Sequence, residues 1–207
     1  MLCDAYRLFA EAFASALRQR GHDVVEVSFD PHALAGSGGD ADICVVDFGP
    51  PAPDLAALAQ AANLRGAKVL ALTTEQDAAP LHALITAGVD GLMSKRRTLE
   101  EIVAAIERLH AGAGYYDPVL VRHAVTTRRP GAESAARQLT GALTPRELEV
   151  LRQLVRGAST GGMAAAMGIS VTTVRSHTQA VLNKLGVNSR LQAAACAVSH
   201  GLVEPTM

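Results

Sequence analysis

The stretch Leu143–Val203 reads LTPRELEVLRQLVRGASTGGMAAAMGISVTTVRSHTQAVLNKLGVNSRLQAAACAVSHGLV and carries four helix signals in tandem. Thr144-Pro145-Arg146-Glu147 is a helix start: Thr144 can accept from the Glu147 backbone, Glu147 can reach back, and Pro145 fits the first turn. Leu148, Leu151 and Val155 form an inward stripe that Gly157 ends. A short second helix runs from about Thr160 to Met167 and stops at Gly168. Ser170 caps the third, which Gly186 stops, and Ser189-Arg190-Leu191-Gln192 opens the fourth with another capping box.

The third helix has two faces. Val174, Thr178, Val181, Leu182 and Leu185 fall on one, and Arg175, Ser176, Gln179 and Asn183 on the other, with Lys184 beside them. The polar face is slim at its N-terminal half and carries a cation. Such a face can enter a major groove, where Arg and Gln form paired hydrogen bonds to base edges. Thr172, Thr173 and the free N–H groups of the first turn can hold phosphate. From Thr144 onward six basic residues face three acidic ones, a net +3, which leaves −4 to the rest of a chain whose total is −1. A basic end on an acidic body fits nucleic-acid contact there.

The 207 residues can form two small domains. The boundary lies within Asp117–Ala142, DPVLVRHAVTTRRPGAESAARQLTGA, which has no long apolar periodicity. It places one domain at 1–114, a linker at 115–141 with a short helix from Pro118 to about Val125 and a flexible piece around 128–134, and a second domain at 142–207. Ahead of it, apolar strands are predicted at Val24–Phe29, Ile43–Phe48, Lys68–Thr73 and Asp90–Ser94. Helices are predicted around Leu8–Leu17, where Leu8, Phe9, Ala12, Phe13, Ala16 and Leu17 recur at helical spacing, and at Asp54–Leu64, Ala78–Ala87 and Thr98–Ala111. This alternation implies an α/β domain with a parallel sheet covered on both faces, whose ligands bind at the carboxyl ends of the strands.

Several classes are excluded or disfavoured. No apolar run approaches a membrane span, and no basic segment followed by a long apolar core marks secretion, so a cytoplasmic chain is expected. Cys3, Cys44 and Cys196 are far apart and read as reduced core thiols. No nucleophile–base pair, phosphate-binding Gly loop or zinc spacing indicates an enzyme.

LTPRELEVL, the GIS–TVRSH join, LNKLGV and NSRLQA make residues 142–203 resemble the four-helix DNA-binding domain of LuxR/NarL-type regulators. The resemblance implies that the third helix enters the major groove of double-stranded DNA and that the last supports a homodimer reading two half-sites. It puts Arg175, Ser176 and Gln179 at base-reading positions and Thr173, His177 and Arg190 at backbone contacts. One departure is Ser159-Thr160-Gly161-Gly162, where the family has a Lys-Glu pair after its capping Ser. A glycine inside a helix costs about 1 kcal/mol relative to alanine. DNA binding weaker and more dimer-dependent than is usual for the family is the expected consequence, with no nanomolar binding by an isolated monomeric C-terminal piece.

The α/β part resembles a flavodoxin-like response-regulator receiver. Asp47 ends ICVVD at the position of the phospho-acceptor, Thr73 ends VLALT at that of the phosphoryl-contacting hydroxyl, Lys95 follows GLMS at that of the pairing lysine, and Asp4 matches one Mg²⁺-holding acid. The departures are large. The acidic pair reads Asp4-Ala5, the aromatic three residues before the lysine is Leu92, and Phe48-Gly49-Pro50-Pro51 replaces the usual pattern after Asp47. Only Met1, Leu2 and Cys3 precede Asp4, so the first strand, internal in the order 2-1-3-4-5, is truncated. Mg²⁺ usually needs two or more carboxylates at such a site, so no cofactor is expected, and Asp4 and Asp47 would be ligands only if Mg²⁺ is retained. The favoured reading is a transcription regulator with a degenerate receiver, gated by dimerisation or a small-molecule effector. The rivals are a regulator phosphorylated at Asp47 by a partner histidine kinase, and an interaction module with weakened DNA binding.

Overall fold

The computed structural model describes residues 1–29, 40–49, 66–74, 77–125 and 141–203. The predicted helix at 54–64 and the predicted flexible piece at 128–134 lie outside these.

Six strands form one parallel sheet in the order β2-β1-β3-β4-β5-β6: β1 (Leu2–Cys3), β2 (Val27–Ser28), β3 (Ile43–Phe48), β4 (Lys68–Thr73), β5 (Gly91–Ser94) and β6 (Tyr115–Tyr116). β3 and β4 read as continuous apolar runs because both their faces are covered. The shortened first strand does not open the sheet. Leu2 pairs with Val27 on one side and Val45 on the other, and the Met1 ammonium donates to the Ile43 carbonyl at 2.9 Å. Two residues thus hold the internal position. β2 is two residues long, against the six predicted.

Helix α1 (Arg7–Gln19) buries Ala10, Phe13, Ala14 and Leu17, whereas Leu8 is 82% exposed. The buried stripe is therefore rotated from the predicted one: Phe13 and Leu17 belong to it, and Leu8 and Ala12 do not. α1 and α3 (Leu99–His110) cover one face of the sheet, packing against Leu2, Val45, Leu70, Leu72 and Met93. α2 (Ala78–Ala87) and α4 (Pro118–Val125) cover the other.

β6 was not predicted, and it moves a boundary. Tyr115 and Tyr116 pair with Gly91 and Leu92, and α4 buries Leu120, Val121 and Ala124 in the α/β core. Residues 115–125, read from the sequence as linker, belong to the first unit. Asp117 fixes the turn between them: its carboxylate accepts from the Val119 backbone at 3.0 Å and from Arg97 Nη2 at 3.0 Å.

The second unit comprises α5 (Pro145–Val155), α6 (Thr160–Met167), α7 (Val171–Leu185) and α8 (Arg190–Ser199) around Val150, Leu151, Leu154, Met163, Val174 and Val181. The predicted cap residues are in place, but the box predicted at Ser189–Gln192 is one-sided, the Gln192 side chain accepting from the Asn188 backbone at 2.7 Å instead. Thr144 and Glu147 form a reciprocal box, and Ser159, Ser170 and Ser189 each accept from the backbone three residues on. α8 serves two cores. Ala193 and Ala197 face the helical unit, while Leu191 and Ala195 are buried against α2 and α4 of the α/β unit.

Candidate functional site: the nucleic-acid interface and the strand-end pocket

The polar face of α7 is open to solvent. Thr172, Thr173, Arg175, Ser176, Gln179 and Asn183 are exposed and His177 is half-buried, while Val174, Thr178, Val181 and Leu182 are buried beneath them. Several of these groups are already engaged locally. Thr173 and Ser170 share a hydroxyl contact of 2.8 Å at the cap, Ser176 Oγ donates to the Thr172 carbonyl at 3.2 Å, and Gln179 donates to Asn183 Oδ1 at 2.9 Å. Such exposed bonds exchange readily for base contacts, because the net worth of each is only about 1 kcal/mol. The Arg175 guanidinium has no ion pair or hydrogen bond within the described residues.

Two residues assigned to DNA contact are engaged elsewhere. Lys184 Nζ lies 2.7 Å from Glu147 Oε2, tying the end of α7 to the start of α5. Arg190 donates to the Gly112 carbonyl of the α/β unit at 3.1 Å and also to Thr160 Oγ1. In this arrangement the Lys184 charge is paired with Glu147, and the Arg190 guanidinium is held by Gly112 and Thr160. The 37-residue separation of Glu147 and Lys184 leaves no periodic trace, which is why the pairing is not legible in the sequence.

Glu147 is buried, and the Lys184 ammonium and the Thr144 backbone hold its carboxyl down at about 2. The native state therefore keeps the ionised form to lower pH than the unfolded chain does. Its contribution is complete above the ordinary carboxylate range near 4.5 and is lost as pH falls toward 2. Glu147→Ala is expected to destabilise the helical unit by about 1 kcal/mol or more at pH 7, the value of a lost cap. The deficit should shrink on acidification below 4.5, which urea titrations at both pH values would measure.

α6 confirms the glycine departure physically. A Cβ at Gly161 would meet nothing within 4 Å, so no close packing requires glycine there. At Gly162 a Cβ would lie 3.2 Å from the capping Ser159 hydroxyl, so the uncompensated backbone freedom is that of Gly161.

At the carboxyl ends of the strands three of the four predicted residues, Asp4, Asp47 and Lys95, meet, and Thr73 ends the neighbouring strand. Lys95 Nζ lies 2.6 Å from Asp4 Oδ2 and 3.0 Å from Asp47 Oδ1. Asp4 is 1% exposed, and the side chains of Asp47 and Lys95 are each 10% exposed. The short Asp4–Lys95 contact misses hydrogen-bond angles, so Asp4 Oδ2 is an ion-pair partner without a hydrogen bond. Asp4 Oδ1 accepts from the Tyr6 backbone at 2.8 Å. The rings of Phe9 and Tyr6 lie 4.4 and 5.1 Å from the ammonium and close it from the α1 side. Burial pushes the Asp47 carboxyl above its usual range, with the Asp4 charge adding to the effect and Lys95 opposing it. Thr73, fully buried, donates its hydroxyl to the Phe48 carbonyl at 2.9 Å.

The two carboxylates of the pocket are both paired with one ammonium, and position 5, which the resemblance gives to a further Mg²⁺-holding acid, is alanine. Among the described residues no group of three or more His, Cys, Asp or Glu side chains could hold a metal. No helix among them is long and apolar enough to cross a membrane.

Comparison with known proteins agrees with both halves. The family model for bacterial regulatory proteins, luxR family, matches residues 141–197. The chain is 31% identical over 208 residues to the glycerol metabolism activator of Pseudomonas putida, covering 95% of this chain and 93% of that one. It is 30% identical over 137 residues to the response regulator VraR of Staphylococcus aureus, covering 66% and 63% of the two chains. The fold is shared with the RcsB response regulator of Salmonella typhimurium, with a TM-score of 0.51 at 20% identity over 93% of this chain and 94% of that one. These relatives are regulators rather than enzymes. The chain belongs to the luxR family of bacterial regulatory proteins, as a LuxR/NarL-type response regulator with a receiver domain ahead of a DNA-binding helix-turn-helix domain.

Proposed function

We propose that this chain is a cytoplasmic transcription regulator that reads duplex DNA as a homodimer and is not switched by ordinary aspartyl phosphorylation. The observation that carries the reading is Lys95 held between Asp4 and Asp47 at 2.6 and 3.0 Å, with alanine at position 5. Phosphoryl transfer to a carboxylate needs a divalent ion to neutralise developing charge. Here one fixed ammonium already occupies the acceptor and the one remaining Mg²⁺-type acid. The trio works as an internal ion pair that ties β1, β3 and the end of β5 together.

Control then falls to the contact between the two units. The family resemblance gives dimerisation to α8, and the α8 side chains Leu191 and Ala195 are packed on the receiver. Gln192 Nε2 donates to the Thr86 carbonyl at 2.9 Å, and Arg108 Nη2 reaches the Gly157 carbonyl at 3.4 Å. In this closed arrangement α7 faces solvent but α8 cannot pair with a second copy. Opening the contact frees α8, and Arg190 with it.

Gly157 tests this gate. It sits at φ +68°, and a Cβ there would lie 2.6 Å from the Gly114 carbonyl oxygen of the receiver. Gly157→Ala should push the units apart, giving a larger radius of gyration by small-angle scattering and tighter DNA binding. An unchanged radius with unchanged affinity would remove the gate.

The test of the whole reading is genome-wide mapping of bound DNA for wild type and Asp47→Ala, with phosphate incorporation measured on the purified chain. Expected are discrete bound sites shared by both proteins, and no acid-labile phosphate from acetyl phosphate and Mg²⁺. Label on wild type that is absent from Asp47→Asn would instead establish a kinase-driven switch. Absence of discrete sites would favour the interaction module.

A further inference from the structure

A cavity of about 400 Å³ lies on the seam between the two units and belongs to neither the strand-end pocket nor the α7 face. The receiver contributes Arg108, Tyr116 and Val121 to its wall, and the helix-turn-helix unit contributes Arg156, Ala194 and Val198. Volumes of this order hold small organic ligands. The lining is mostly aliphatic and aromatic, and among the described residues its charged groups are the two guanidiniums, with no acidic side chain.

The two cations differ in what holds them. Arg108 is positioned: it reaches the Gly157 carbonyl at 3.4 Å and lies 5.7 Å from the Tyr115 ring centroid. Arg156, the C-cap residue of α5, has no acidic partner among the described residues. Burial pushes the Tyr116 phenol up, so it stays a neutral donor across the working pH range. At one rim Gly157 lies close against the Gly114 carbonyl, whose oxygen a Cβ there would approach to 2.6 Å.

From this juxtaposition we infer a binding site for a small monocarboxylate with an apolar body, its carboxylate between Arg108 and Arg156 and its body against Val121, Ala194 and Val198. A planar carboxylate matches the guanidinium fork. A ligand there touches both units at once and therefore favours the closed arrangement over the open one. The site itself does not depend on the DNA reading; only the consequence for DNA does.

The experiment uses the full-length chain and two probes of equal shape, 4-phenylbutyrate and 4-phenylbutan-1-ol, titrated calorimetrically at constant ionic strength without DNA. Saturable binding of the acid, at least tenfold weaker binding of the alcohol, and a tenfold loss for the acid alone in Arg156→Gln are expected. Position 156 is exposed at a helix end, so the variant should fold, and its thermal melt checks this. No saturable binding of the acid, equal binding of acid and alcohol, or undiminished binding by folded Arg156→Gln would each overturn the site. In a separate arm, saturating acid should weaken binding to a mapped DNA site severalfold. Acid binding with unchanged DNA affinity would keep the site and reject its coupling to the gate.

Discussion

Lys95→Ala is expected to destabilise the receiver by about 3 kcal/mol, the lower end of the cost of stripping the partner from a buried ion pair. Asp4 is 1% exposed and the Asp47 side chain 10%, so both carboxylates lose their partner in a largely buried setting. The two negative charges would then face each other across the space Lys95 leaves. Asp47 limits the damage by taking up a proton, which its surroundings already favour. The direction with pH follows. A carboxyl whose native pKa is raised gives a native state that binds protons more readily than the unfolded chain, so acidification relieves the strain. The deficit of Lys95→Ala should therefore be smaller at pH 5 than at pH 8. Adding Asp47→Asn to Lys95→Ala removes one of the opposed charges and should recover part of the loss, a coupling that a double-mutant cycle isolates. Urea unfolding of the four proteins at the two pH values measures all of this. A Lys95→Ala protein as stable as wild type would show that the trio is not structural.

Arg175→Ala should cost roughly 5- to 150-fold in affinity for a mapped operator, the 1–3 kcal/mol of a bidentate base contact. The guanidinium is exposed on α7 and tied to nothing among the described residues, so its removal leaves the helical core untouched. Specific and non-specific DNA should respond differently. A base reader loses discrimination between them, whereas a phosphate contact weakens both alike. Titrations on operator and scrambled duplex at two salt concentrations separate the cases. Equal losses on both duplexes would move Arg175 from reading bases to holding phosphate.

The helical unit was legible because its information is local. Caps such as Thr144–Glu147 and Ser170–Thr173 span three residues, and the α7 stripe repeats over four turns. The strand-end pocket was legible through the receiver resemblance, which gives roles to Asp47, Thr73 and Lys95 at the ends of apolar runs. What failed was non-local. The stripe of α1 was misplaced because apolar residues fill both of its faces and only the sheet selects one. β6 is two residues long, too short for any alternation to show. The engagement of Lys184 by Glu147, and of Arg190 by Gly112, depends on how distant segments meet. The seam between the units has no motif at all, since its contacts run through glycine backbones, an alanine-rich helix and single arginines.

The proposed gate, in which α8 exchanges the receiver for a second copy, sets a threshold. Within one chain the receiver surface faces Leu191 and Ala195 at an effective concentration on the order of mM, as for any tethered partner on a short connection. A second copy at micromolar level is outnumbered by roughly a thousandfold, about 4 kcal/mol. Adding more protein alone therefore pairs few copies. Pairing begins only when the tethered contact is weakened first, and from that point each further increment of release yields a disproportionate rise in paired chains. A helix shared between two partners in this way converts a graded signal into a steep one.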